Sequence, residues 1–185
     1  MRRKIEQDYS KEQQLPRLGI SPYLELMKKS VSSDLTEKAH IGLLLLWISD
    51  NIQDLVDLKL EPYGITESKL DLLLLLTLHS NDKAASPTPS ALASRLGIRR
   101  ASATALLDWL EKRNWVKRTV NTDNRRMVHV EITEEGRRLV RQVLPEFWTV
   151  LASLMSDMTH EEQQVLLKLF GKMNTSLEKR LGVGR

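Results

Sequence analysis

The segment from Thr88 to Thr133 constrains the fold more than any other part of this chain. Thr88-Pro89-Ser90 is a helix start, with a hydroxyl for the free amides and a proline whose missing N–H costs nothing there, and Gly97 is a helix stop. A second helix opens at Arg99-Arg100-Ala101-Ser102, and a short strand follows from Trp115. Next comes a polar turn, Asn121-Thr122-Asp123-Asn124-Arg125-Arg126, and then alternating apolar residues at Val128, Val130 and Ile132. The order is helix, turn, helix and β-hairpin, the layout of a winged helix-turn-helix.

Charge is concentrated in the same segment. It holds nine Lys/Arg against four acids, a balance of +5, whereas the whole 185-residue chain carries +4. A basic excess gathered into a quarter of a chain is the electrostatic signature of a nucleic-acid binder. In the second helix, Ala103, Leu106, Leu107 and Leu110 form an inward stripe. Arg99, Arg100, Ser102, Thr104, Ala105 and Asp108 fall largely away from it. We take Arg99, Arg100, Ser102 and Thr104 as candidate DNA contacts. The first turn of a helix donates to phosphates, and arginine reads guanine through two acceptors at once. Arg125 and Arg126 at the hairpin turn suit a narrow minor groove. An arginine pair or a polar turn alone is more often solvated surface. The ordered combination is what makes double-stranded DNA the expected partner.

The flanks are helical. Residues 1–34 carry seven Lys/Arg and five acids, and Pro16, Gly19 and Pro22 break any long helix early, so they form an extension outside the core. Within it, Tyr23-Leu24 and Leu26-Met27 make a short amphipathic piece, either docked or loose. From Leu35 to Leu60, Leu44, Ile48, Ile52, Leu55 and Leu58 repeat at steps of three and four. Leu43, Leu45, Leu46 and Trp47 make that stripe too wide for one partner. Pro62 and Gly64 end this helix, Thr66 caps the next, and the run Leu72 to Leu76 is core. After the hairpin, Thr133 caps a long helix with Glu134 and Glu135 in its first turn, and Pro145 should kink or divide it. Thr159 and Glu162 form a capping box for a last helix striped by Leu166, Phe170, Met173, Leu177 and Leu181. Such apolar seams are most simply buried against a second copy, so a homodimer is expected.

Several function classes are disfavoured. No cysteine is present, which removes disulfides, thiolate metal sites and thiol redox switches. His40, His79, His129 and His160 have no close metal-ligand spacing, and no metal or cofactor is expected. His129 points outward on the second strand, either toward a phosphate or simply as a surface histidine. There is no Gly-rich phosphate loop and no Ser/His/Asp arrangement, so no catalytic residues are assigned and an enzyme is not expected. The longest apolar run, Ile41 to Ile48, falls far short of a membrane span, and basic Met1-Arg2-Arg3-Lys4 leads into Glu6-Gln7-Asp8 instead of a signal peptide. We therefore expect a cytoplasmic protein without a membrane partner.

The motifs Pro89-Ser90-Ala91-Leu92-Ala93, Leu96-Gly97, Leu106-Leu107-Asp108, Leu110-Glu111-Lys112-Arg113, Asn124-Arg125-Arg126 and Ile132-Thr133 with Gly136 resemble the MarR family of winged-helix regulators. The resemblance covers roughly residues 65 to 180. It implies a mainly α fold: a winged helix-turn-helix with a two-stranded β-wing, flanked by N- and C-terminal dimerisation helices. By that division residues 1–34 are an extension, 35–64 the N-terminal dimerisation helix, 65–133 the DNA-binding domain and 134–182 the C-terminal dimerisation helices. It also implies a homodimeric repressor on a palindromic operator, often relieved by a small-molecule effector. No residue identifies that effector, and ligand-independent repression is equally open. Arg126 matches the wing arginine of the family's Asp-x-Arg pattern. The acidic slot holds Asn124, and Asp123 comes one position early. Trp109 stands where relatives often place a basic or polar residue. It packs against the wing or an adjoining element, the preferred reading, or belongs to a contact surface. The chain is also somewhat similar to MarR-type regulators encoded with adhesive fimbriae, which implies repression of flagellar genes. The rival reading is a winged helix used for protein contacts, or an architectural DNA binder without operator preference.

Overall fold

The structure, a computed structural model, describes residues 19–79, 86–120 and 128–182. It falls into two compact units, 1–55 and 56–185. The described elements are α1 (Ile20–Ser30), α2 (Ser33–Leu60), a 3-10 turn (Glu61–Tyr63), α3 (Glu67–Leu78), α4 (Pro89–Leu96), α5 (Arg100–Glu111), β1 (Val116–Val120), β2 (Val128–Ile132), α6 (Glu134–Ser153) and α7 (His160–Leu181). The mainly α winged-helix architecture expected from the sequence is the one found. No helix among the described residues is long and apolar enough to cross a membrane.

In the first unit, α1 forms despite Pro22, which sits in its first turn where no intrahelical N–H is required. The amphipathic piece around Tyr23 is docked: the Tyr23 ring meets Trp47 edge-to-face, with centroids 6.1 Å apart. Yet none of the described residues 19–55 is buried. Leu44, Leu46 and Ile48 all remain exposed on α2. The wide apolar stripe is therefore unsatisfied within this unit.

The second unit holds the core. Leu60, Leu70, Leu72, Leu73, Leu92, Leu107 and Leu110 are buried to below 2% exposure and bind α3, α4 and α5 together. At about 25 cal/mol per Å2 of apolar surface, each such leucine contributes roughly 1.5–3 kcal/mol. Leu106, placed on the inward stripe by its spacing, is only half-buried. Val116, Val130 and Ile132 extend the core under the hairpin, and Val140, Val143, Phe147 and Val150 carry it along α6.

Of the four threonine caps expected from the sequence, three form and Thr66 does not. Thr88 Oγ1 accepts from Ala91 N, and Gly97 closes α4 at φ 65°, a left-handed conformation that favours glycine. Thr133 Oγ1 accepts from Gly136 N at 3.1 Å, and the Thr159–Glu162 capping box is complete. Thr66 occupies the cap position of α3 but makes no capping bond. Its hydroxyl accepts from Lys69 Nζ at 3.2 Å, and Asp57 caps the helix instead, its Oδ1 accepting from Glu67 N at 2.7 Å.

Pro145 does not divide α6, which runs unbroken from Glu134 to Ser153. Burial of Val143, Phe147 and Val150 on either side of the proline outweighs one lost hydrogen bond. The helix stops at Ser153. α7 has no buried residue, so Phe170, Met173, Leu177 and Leu181 stay exposed.

Candidate nucleic-acid interface

The α5 helix divides its residues between buried and exposed positions. Ala103, Leu107 and Leu110 are buried, whereas Arg99, Arg100, Ser102 and Thr104 are exposed, the two arginines at the N-terminal end of the buried stripe and Ser102 and Thr104 on its two flanks. Arg99 is the N-cap residue, and Arg100 begins the first turn. Two guanidinium groups and the free amides of a helix start thus share one end of the surface. The side chain of Thr104 donates to the carbonyl of Arg100 at 3.0 Å, leaving its lone pairs to accept from a partner. The four candidates at the start of α5 are therefore all exposed. The other two, Arg125 and Arg126, lie outside the described residues, as do Asp123 and Asn124 of the wing pattern.

The hairpin is antiparallel, with Val116 opposite Ile132, Arg118 opposite Val130 and Val120 opposite Val128. Its root is anchored on both sides. Val130 N donates to the carbonyl of Pro87 at 2.9 Å, just ahead of α4. On the other strand, Arg118 N and Nη1 donate to the two carboxylate oxygens of Glu111, each at 3.0 Å. Arg118 Nη1 also lies 2.6 Å from Asp108 Oδ1. His129, read from the sequence as outward-facing, is half-buried, and its Nδ1 lies 2.6 Å from the Ser86 carbonyl. That ring nitrogen is engaged by backbone and is not presented to a phosphate.

Trp109 takes the first of its two readings. Its half-buried ring stacks edge-to-face on Trp115 at 5.6 Å, at the root of the hairpin. The Arg113 guanidinium lies 3.5 Å from its centroid and Lys69 Nζ lies 4.4 Å from it. Burial lowers the Lys69 pKa below its usual value; Asp57 opposes that shift and Arg113 adds to it. Beside it, burial pushes the Glu67 carboxyl up, helped by the negative charges of Asp71 and Asp57.

Sequence spacing did not find Arg118, Glu111 and Lys69 as partners, because each contact joins different elements. Among the described residues no group of three His, Asp or Glu side chains is placed to hold a metal ion.

Comparison with known proteins agrees with this geometry. A model of the MarR family matches residues 66–128, from the cap position of α3 to the first residue of β2. The Escherichia coli transcriptional repressor MprA is 34% identical over 120 residues, covering 65% of this chain. The match spans 66%, just under two thirds, of MprA itself. The Bacillus subtilis HTH-type transcriptional repressor YetL is 30% identical over 134 residues, covering 72% of this chain and 78% of YetL. Among solved structures, E. coli MarR C80S complexed with operator DNA superposes with a TM-score of 0.63 at 25% identity, over 77% of this chain and 99% of that one. The S. aureus MepR–DNA complex gives the same TM-score and identity over 73% and 96%.

Proposed function

The chain belongs to the MarR family of winged-helix regulators, and from that premise we propose that it is a homodimeric, sequence-specific repressor of transcription. In this reading α5 enters the major groove of a palindromic operator and the hairpin reaches the adjoining minor groove. The observation that carries it is the exposed start of α5, where Arg99, Arg100, Ser102 and Thr104 are all open to solvent. MprA and YetL are transcriptional repressors, and MarR C80S forms a complex with operator DNA.

The homodimer is supported by apolar surface that a single copy leaves in water. Phe170, Met173, Leu177 and Leu181 recur on one side of α7 at 38–62% exposure. A seam of that kind, shared by two copies, matches a two-fold symmetric operator. The family resemblances support relief by a small ligand and control of flagellar genes.

The test is selection of genomic DNA fragments by the purified full-length protein, competed with bulk DNA at about 150 mM salt. Recovery of one palindromic site is the expected result, and its genomic position identifies the regulated genes. Random fragments alone would favour an architectural binder. No recovery would favour a winged module for protein contacts.

A further inference from the structure

The root of the hairpin carries an ionic clamp that binds it to the end of α5. Arg118 and Val130 face each other across the two strands. Val130 N donates away from β1, to Pro87, which makes this pair the kind whose amides point outward from the ladder. The Arg118 amide is therefore on the outer edge of β1, and Glu111 Oε1 accepts it at 3.0 Å. The same carboxylate takes the side chain through Oε2, also at 3.0 Å. Asp108, one turn earlier on α5, adds the contact at 2.6 Å. One guanidinium thus serves two carboxylates of the helix proposed to lie in the major groove, and one of those carboxylates also covers the strand edge.

We propose that Arg118 is the positioning residue that fixes the hairpin to α5, so that helix and wing address the operator as one body. The Arg118 side chain is only 26% exposed and its charge is consumed internally, so it is a brace and not a DNA contact. It has a second effect. Asp108 lies on the exposed side of α5, where an unpaired carboxylate would repel phosphates, and Arg118 neutralises it. Both carboxylates meet the same nitrogen, Nη1, so a lysine ammonium, which also carries several donors on one nitrogen, should restore part of the contact from a shorter reach.

The inference rests on the operator-binding reading, and the experiment separates the two. Hydroxyl-radical footprints are taken on the recovered operator with wild type, Arg118→Ala, Arg118→Lys and the double variant Arg118→Ala with Glu111→Ala. Arg118→Ala should retain central protection at saturation, lose the flanking protection, and bind about tenfold more weakly. Arg118→Lys should recover part of the flank. The double variant should bind no more weakly than Arg118→Ala alone, because the two residues act through one interaction. Uniform fading of centre and flank, or an unchanged flank, would overturn the brace. Amide exchange on the free protein supplies the second arm: Glu111→Ala should accelerate exchange at Arg118 N, and unchanged protection there also overturns it. A wild-type protein that protects no site defeats the regulator reading, while the exchange result still decides whether the clamp exists.

Discussion

Asp57 caps a helix to which it does not belong: its Oδ1 accepts the Glu67 amide of α3 at 2.7 Å, ten residues along the chain. Thr66, the residue in the cap position, faces Lys69 instead. An acidic cap satisfies a free amide and favours the positive end of the helix dipole. Asp57→Ala should therefore cost about 1–2 kcal/mol, and Asp57→Asn clearly less, since its carbonyl oxygen still accepts. Thr66→Ala should cost less than either. Urea unfolding of the three variants checks the order, and a Thr66→Ala loss as large as that of Asp57→Ala would refute it.

The same corner sets a pH dependence. Glu67 holds its proton more tightly in the folded chain than the ordinary value of 4.5, because of burial and then of Asp71 and Asp57. A raised folded pKa gives stability that is fully present below 4.5 and is lost as pH rises through the folded value. Glu67 in its ionised form is thus a liability. At pH values above the folded pKa, Glu67→Gln should raise Tm by on the order of 1–3 °C, with the advantage shrinking toward pH 4.5. Glu134 has the opposite sign. The hydrogen bond from Arg141, with the Arg141, Arg137 and Arg138 charges, lowers its pKa, so its contribution is present above 4.5 and disappears on acidification. Thermal melts from about pH 2.5 to about pH 8 decide both, and a Glu67→Gln advantage that grows on acidification refutes the first.

What the sequence revealed and what it concealed differ in range. The Thr88 and Thr159 caps, the Gly97 stop and the Ala103, Leu107, Leu110 stripe all arise within a turn or two of chain, where residue type and spacing carry the physics. The brace from Arg118 to Asp108 requires knowing that a strand edge returns to the end of a helix. His129 meeting Ser86 spans 43 residues. Of the two outcomes expected at Pro145, division of the helix does not occur, because tertiary burial on both sides of it holds α6 together. Of the six DNA-contact candidates, the four at the start of α5 are all exposed, while Arg125 and Arg126 lie outside the described residues.

Gly136 stands where α6 passes the end of the hairpin. A Cβ there would collide with the Trp115 carbonyl and lie 2.8 Å from Ile132 Cγ1. The Trp115 carbonyl already accepts Thr133 N at 3.0 Å, and Thr133 Oγ1 donates to Asn114 at 2.6 Å, so backbone holds the crossing on both sides. Gly136→Ala should cost about 2–3 kcal/mol even though alanine favours helix, because overpacking against backbone outweighs propensity. Denaturant titration measures this directly. A neutral or stabilised variant would show that the crossing yields freely.

Leu177→Glu tests the seam without touching α5. Leu177 is 49% exposed and contributes little to the core of one copy. Its replacement should leave helix content intact while shifting sedimentation from dimer toward monomer. DNA affinity should fall with it, because each copy would then hold one half-site without the gain from linkage. A dimer unmoved by the substitution refutes the α7 seam.

Arg100→Ala distinguishes the two ways in which the start of α5 can engage DNA. A base contact should be worth about 1–3 kcal/mol and its loss should relax preference at one operator position. A phosphate contact should weaken all sequences alike and reduce the slope of log affinity against log salt by about one. The exposed first-turn position of Arg100, one residue after the N-cap Arg99, places it beside the free amides of the helix start, where a phosphate would also sit. We therefore expect the salt slope to fall and base preference to hold for Arg100→Ala. Binding isotherms at four salt concentrations, on the operator and on single-position variants of it, separate the outcomes. Unchanged affinity at about 150 mM salt would remove Arg100 from the interface.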